Sequence, residues 1–286
     1  MSRPDGVGPA IVVTDVAELL RDHRPGPDFD GVVRVASGVD RLGYAFAVGY
    51  DAALHQMVPE ARGVTALAAT ENKSAHPRDI MTRVSSDGLL TGEKSFVTLG
   101  NLADTILVVA RTEAPQADGR PDLRLVSVAA NAKGVTREAL RPTPFAPELP
   151  HARVRFEGAQ GEVMPGDGYA LYMKPFRTIE DTWVHIALIA WLIGMASRDA
   201  WGDAYIDEAR SGLAASSPLL TRDLTTPEAH IALGGLIDRS RALVEKTAFS
   251  EARAAEKAMF ERDKAILWVA EKARTERLSK ARAAKP

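Results

Sequence analysis

The chain has 286 residues, 45% of them hydrophobic, which supports a packed core and excludes disorder as its main state. Thirty-six basic residues against 38 acidic ones leave a net charge of −2, with no global electrostatic footprint for nucleic acid or an anionic membrane. Cysteine is absent, so disulfides, thiolate zinc sites, iron–sulfur clusters and a cysteine nucleophile are excluded together.

In chain order, residues 15–22 predict a short amphipathic helix, stopped by Pro25-Gly26-Pro27. Residues 41–58 carry Leu42, Ala45, Phe46, Tyr50, Ala53, Leu54 and Met57 at helical spacing, with Gly43 and Gly49 among them and Pro59 as the stop. From residue 62 the period changes. Residues 64–71, 80–85 and 89–98 read as strands, the last two joined by a Ser86-Asp87-Gly88 turn in which glycine accepts left-handed geometry. Residues 105–111 and 123–129 read as buried strands, and 153–157 alternates as a half-buried strand should. From residue 175 the chain reads as helical. Residues 178–210 are apolar on every side through their middle and carry Trp183, Trp191 and Trp201, the pattern of a central bundle helix. Residues 211–227 form a connector, and Thr225-Thr-Pro-Glu-Ala starts a further helix with proline near its first turn. No glycine or proline falls between Gly235 and Pro286, and two long helices with a break near 250–256 are expected there.

Helices, then strands, then helices give an α+β multidomain chain rather than an alternating βαβ one. Its expected parts are a short helical segment over 1–61, a β-barrel-like middle domain over 62–174 and a helical bundle over 175–286. Gly-x-Gly-x-x-Gly, Gly-x-x-x-x-Gly-Lys, Gly-x-Ser-x-Gly and His-Glu-x-x-His are all missing, which removes the Rossmann, P-loop, α/β-hydrolase and zincin readings. The six histidines include no i, i+4 pair, and no metal site is expected. The longest uninterrupted apolar run, 186–196, is 11 residues. A membrane span needs roughly 20. The first residues lack the apolar core of a signal peptide. A soluble, cytoplasmic protein with no nucleic-acid or membrane partner is therefore expected.

Two segments carry a resemblance. Ala68-Ala-Thr-Glu71 is followed by Leu90-Thr-Gly-Glu-Lys-Ser-Phe-Val-Thr-Leu-Gly-Asn-Leu-Ala-Asp-Thr-Ile-Leu-Val-Val-Ala-Arg-Thr112. This resembles the acyl-CoA dehydrogenase family. Its middle domain typically reads Thr-Glu-Pro, then Asn-Gly-Glu-Lys-(Phe/Trp)-Ile-Thr-Asn-Gly, then Ala-Asp and a Leu/Val run ending in Ala-Arg-Thr. Gly161-Glu-Val-Met-Pro-Gly-Asp-Gly-Tyr169 resembles the family's passage out of that domain, and Tyr205-Ile-Asp-Glu-Ala-Arg210 is similar to the end of its first bundle helix. The order of helical segment, β-domain and four-helix bundle fits as well.

The resemblance implies an FAD-dependent oxidoreductase that desaturates an acyl thioester, with acyl-CoA as substrate. Thr70 would bond the pyrimidine side of the isoalloxazine. Phe96 and Thr98 would lie against its face and reach its N5 edge, Val97 would contribute backbone, and Arg210 would meet the pyrophosphate across a subunit boundary. These residue types suit the task, because an aromatic fixes a flavin by stacking and hydroxyls stabilise charge on the ring. Thr70, Phe96 and Thr98 are equally explained as strand formers, and Arg210 as a helix C-terminal cation.

The family's Gly/Ser loop after Thr-Glu-Pro is replaced by Thr70-Glu-Asn-Lys-Ser-Ala-His-Pro-Arg-Asp79, where Lys73, Ser74, His76 and Arg78 stand in place of glycines. The family's late catalytic glutamate would fall beyond Pro286, which leaves either a relocated base or no proton abstraction. Glu180 is the candidate, flanked by Ile179 and Trp183, although it and Asp181 also suit the start of a helix as plain dipole partners. His185 reads as a buried, satisfied histidine. Bundle pairing in the family, with the apolar 186–196 run, implies a homodimer or higher oligomer, or a hetero-oligomer with a full-length paralogue. The alternative reading is a non-catalytic paralogue acting as a subunit or scaffold. A third is a flavin oxidase or monooxygenase on the same fold.

Overall fold

The computed structural model describes residues 7–284. They divide into two compact units: a β unit of residues 57–142 and 149–177, and a helical unit built from three stretches, up to 56, 143–148 and from 178 onward. The segments read from sequence follow chain order. The units follow packing.

The β unit holds eight strands: β1 (Thr65–Ala68), β2 (Arg83–Val84), β3 (Leu89–Thr98), β4 (Thr105–Arg111), β5 (Leu123–Ala129), β6 (Val135–Ala139), β7 (His151–Gln160) and β8 (Glu162–Val163). They form one sheet in the order β6-β7-β3-β2-β4-β5-β8, with β1 added in parallel beside β4. Strand β4 is buried from Ile106 to Ala110, as its continuous apolar run requires. Its Ile106 and Val108 side chains pack with Ala66, Val84, Leu90, Val126 and Phe156 in the unit's core. Gly88 closes the β2–β3 turn at φ 84, as expected. The 80–85 strand shrinks to Arg83–Val84, and two strands the sequence reading leaves out, β6 and β8, lie on the sheet's edges. Most of β6 is exposed, with Arg137 and Glu138 charged, which protects an edge but erases the apolar alternation that signals a strand.

Strand β3 pairs with β7 through a register shift between Lys94 and Val97. Lys94 faces Val154 and Val97 faces Ala152, so β3 carries one residue more than its partner. Such a bulge bends a strand and re-aims its side chains. Residues 95 and 96 are turned toward Thr70 instead: Ser95 N donates to the Thr70 carbonyl at 2.9 Å, and Phe96 forms a bridge with Thr70.

The helical unit contains α1 (Val16–Asp22), α2 (Phe29–Gly38), α3 (Leu42–Met57), α4 (Lys174–Asp199, from Thr178 on), α5 (Asp203–Ser216), α6 (Pro227–Glu245), α7 (Ala254–Asp263) and α8 (Glu271–Ala283). Asp15 caps α1 by accepting from the Ala17 and Glu18 amides, and Thr226 caps α6. Three expectations are corrected. Helix α2, which the sequence reading leaves out, starts at an Asp28 cap. The single helix expected over 178–210 breaks at Ala200 (φ 53) and Gly202 (φ 97). The tail after Gly235 forms three helices, with the second break a 3-10 turn at Lys264–Trp268.

Helix α4 is buried at every position from 181 to 196. Two helices cross it at glycines. A Cβ on Gly49 of α3 would lie 2.8 Å from the Trp183 carbonyl oxygen, and one on Gly194 would lie 2.0 Å from the Ser37 carbonyl oxygen of α2. Those close approaches explain glycine inside strongly apolar helices. Arg198 ties the same crossing by donating to the Ser37 and Val39 carbonyls at 2.7 and 3.0 Å. Trp191 stacks on Phe260 of α7, and Trp201 packs against Tyr205 and Phe249. The 186–196 run offered above to a subunit interface is thus consumed within this unit. Residues Gly168–Asp199 include a stretch long and apolar enough to cross a membrane, and 94% of that window is buried inside the protein.

Gly194→Ala should force α2 off α4 and cost about 1–3 kcal/mol, the usual penalty for overfilling a packed contact. A urea midpoint equal to wild type, at unchanged slope, would contradict that crossing.

Candidate functional site

The segment after β1 brings Thr70 beside the bulge of β3. Glu71 and Ser74 close a two-residue turn by exchanging backbone bonds of 2.7 and 2.8 Å, with Asn72 and Lys73 both left-handed at φ 46 and 66. Glu71 is buried and accepts from Lys94 Nζ at 2.6 Å, from Thr82 N at 3.0 Å and from Met81 N at 2.8 Å. Burial alone would raise the Glu71 carboxyl; Lys94 and the two amides outweigh it and hold it below the usual range. Thr70 precedes this anchor and Phe96 lies two residues past Lys94, so one buried ion pair fixes both segments.

Phe96 is 42% exposed, unusual for a large aromatic on a central strand. Its ring stacks on His151 with centroids 4.1 Å apart and planes 27° from parallel. His151, the first residue of β7, sits opposite Thr98 in the ladder. The imidazole is 9% exposed, and its Nδ1 is buried without a hydrogen-bond partner. Burial pushes its pKa down to about 4, against a small opposing pull from the Leu149 carbonyl, so it is neutral at physiological pH. Thr70 and Thr98 are half-buried, and neither hydroxyl bonds another described residue. Val97 points into the core, fully buried, and its carbonyl accepts from Gly100 N at 3.1 Å. Leu99 follows at φ 60, a left-handed strain beside the site that its complete burial offsets.

Residues 66–159 match the sequence model of the acyl-CoA dehydrogenase middle domain. Among solved structures, FkbI, for biosynthesis of the methoxymalonyl extender unit of the FK520 polyketide, superposes with a TM-score of 0.69 at 16% identity, over 95% of this chain and 92% of that one. An acyl-CoA dehydrogenase from Geobacillus kaustophilus gives 0.64 at 14%, over 95% and 90%. A glutaryl-CoA dehydrogenase from Mycobacterium smegmatis in complex with FADH2 gives 0.60 at 12%, over 98% and 88%. No curated protein sequence matches. This is the acyl-CoA dehydrogenase fold, with residues 66–159 similar to that family's middle domain.

In that acyl-CoA dehydrogenase frame, Thr70, Phe96, Val97 and Thr98 are brought together at the bulge of β3. The exposed aromatic plane and the two hydroxyls with no partner among the described residues suit the ring end of a flavin. The 72–79 loop suits its phosphates less well, because the amides of Ser74, His76, Arg78 and Asp79 are consumed internally. Ser74 N bonds Glu71 O, His76 N bonds Ser74 Oγ, Arg78 N bonds His76 Nδ1, and Asp79 N bonds His76 O. Lys73 and Arg78 are exposed and are left as its cationic side chains.

Glu180 and Arg210 belong to the helical unit. Glu180 is partly exposed on α4; Arg210 lies on α5, 3.9 Å from Asp207. Asp181 is a structural partner: it is buried, and α8 brings Arg274 to it at 2.7 Å together with Arg277. Burial would raise that carboxyl, yet the two guanidiniums hold it below the usual range. His185 is fully buried and near pKa 3, chiefly through burial. The Ser240 hydroxyl donates to the Ile237 carbonyl, so His185 Nδ1–H donates to Ser240 Oγ at 2.6 Å. Among the described residues no three His, Asp or Glu side chains are placed to hold a metal ion. His151 is the site residue that the sequence reading passes over. Its one signal is a histidine opening an alternating strand, and nothing in sequence shows what that strand faces.

Proposed function

We propose that this protein is an FAD-dependent acyl-CoA dehydrogenase-like oxidoreductase acting on an acyl thioester. The observation that carries the reading is the exposed Phe96 ring, flanked by the Thr70 and Thr98 hydroxyls, at the bulge between Lys94 and Val97 that turns β3 out of its ladder. Phe96 would fix the plane of the isoalloxazine by stacking. Thr70 would donate to its pyrimidine edge and Thr98 toward N5, while Val97 holds the strand between them. Arg210 would meet the pyrophosphate, with Lys73 and Arg78 replacing glycine amides by charge. When bound, the flavin supplies the hydride acceptor. Glu180 would take the α-proton as the β-hydride leaves and the carbon–carbon double bond forms. Assembly into a homodimer or higher oligomer, or with a full-length paralogue, belongs to the same reading, as does a cytoplasmic location.

The visible spectrum of the purified protein, with an FAD titration, tests the cofactor. Phe96→Ala and Thr98→Val should each weaken FAD retention about tenfold, the scale of one good aromatic or hydrogen-bonded contact. The circular dichroism of the β unit should stay unchanged. Glu180→Gln should slow flavin bleaching by a panel of acyl-CoAs on the order of 10²–10⁴-fold. Equal bleaching in the variant would acquit Glu180.

The internally bonded 72–79 loop favours a second reading, a non-catalytic paralogue that serves as a subunit. A colourless protein that cannot be reconstituted with FAD would establish it over the first.

A further inference from the structure

We propose that His151 is a positioning residue of the aromatic platform: its ring backs Phe96 so that the other face of Phe96 is presented, already ordered, to a planar conjugated ring system. The inference rests on the flavin reading of that platform and adds to it a residue from a different strand.

Three observations converge on this pair. The bulge takes residue 96 out of the β3–β7 ladder, so Phe96 has no partner residue on β7. The aromatic ring stacked on it is His151, at 4.1 Å and 27°, a closer approach than the roughly 4.5–7 Å usual for ring pairs. His151 is in turn fixed by its place in β7 opposite Thr98, with 9% of its surface exposed. An exposed phenylalanine without such backing samples several rotamers and must be ordered when a ligand arrives. A neutral imidazole behind it orders the ring beforehand without adding a charge beside the ligand. The buried, unbonded Nδ1 carries a cost in polar desolvation that an apolar residue would avoid. A flat aromatic ring at that position is the return, because only such a ring can lie parallel to Phe96.

The full-length protein is titrated with FAD, following flavin fluorescence and the visible absorption band, as wild type and as His151→Phe, His151→Leu and His151→Gln. The leucine and glutamine variants keep most of the volume and lose the stack. They should bind FAD about 3- to 10-fold more weakly, the size of one aromatic pair. His151→Phe keeps the stack without a nitrogen and should bind within about twofold of wild type. A merely space-filling role would leave leucine equal to phenylalanine, and that equality would overturn the proposal while leaving the flavin reading intact. If His151→Leu does not fold, the contrast between phenylalanine and glutamine decides in the same way. Wild-type protein that binds no FAD under any condition overturns both.

Discussion

Replacing Lys94 with methionine should cost the β unit about 3–5 kcal/mol, the penalty for leaving a buried charge without its partner. Lys94 is completely buried, and its ammonium bonds Glu71 Oε1 at 2.6 Å. Burial pushes that ammonium down toward about 8, with Glu71 opposing, so its charge is held only through the pair. Without Lys94, the Glu71 carboxylate keeps two backbone donors but no counter-charge. The double variant Lys94→Met, Glu71→Gln should regain most of the loss, since a neutral amide can still accept from Met81 and Thr82. Urea denaturation of both single variants and the double gives the coupling directly. Additive losses would show that the pair is not acting as a unit. Because Thr70 adjoins Glu71 and Phe96 lies two residues past Lys94, the single variants should also lose any flavin affinity, and the double variant should recover part of it.

The second large effect is a pH dependence with the opposite sign to ordinary acid denaturation. Asp51 on α3 is completely buried, and neither of its carboxyl oxygens has a hydrogen-bond partner. His55 Nδ1 lies 3.4 Å from one of them but is already bonded to the Asp51 carbonyl, and Arg24 lies beyond His55 at 3.4 Å. Burial raises the Asp51 carboxyl to about 7, and Arg24 offsets this only slightly. A folded-state pKa above the unfolded value means that the folded state holds the proton more tightly. The contribution is fully present below the unfolded carboxyl pKa of about 4 and is lost as pH rises through about 7. By linkage, the three-unit difference amounts to about 4 kcal/mol between those limits. Asp51→Asn should abolish that slope and stand well above wild type at pH 8. Stability curves of the two proteins from pH 4 to 8 check this, and parallel curves would rule it out.

Local chemistry made much of the fold readable. Strands β3, β4 and β5 have the expected bounds, because β4 and β5 are rich in β-formers and β3 opens at the Ser86-Asp87-Gly88 turn. Helix α1 and the start of α6 announce themselves through Asp15, Thr226 and Pro227. What stayed hidden depends on distant partners. Helix α2 is short, with glycine in its first turn and at its end, and it is stable because it packs on α4. The break at Lys264–Trp268 has no glycine or proline. It coincides with Asp263 turning to accept from Ala146 N and Trp268 lying under Arg241, contacts that cross from other parts of the chain. In the candidate site the motif register pointed to Thr70, Phe96 and Thr98 individually. The stack on His151 could not be read, since it depends on where β3 takes its extra residue. Asp181 likewise looked like a helix-start acid until α8, more than 90 residues on, supplied its two arginines.

The three-part make-up of the helical unit has a consequence for synthesis. Gln56 bonds Trp183 across 127 residues, and Ser37 bonds Arg198 across 161. On the ribosome, α2 and α3 emerge long before α4, the helix that Ser37 and Gly49 meet in the folded protein. All eight strands lie between Thr65 and Val163 and leave the exit tunnel in the interval. Every partner a strand needs is available before α4 appears, so the β unit can close on its own contacts. The nascent chain therefore carries a folded β unit behind an apolar helix pair that waits for its cover. During that wait the N-terminal helices are the part of the protein most exposed to chaperones and to aggregation.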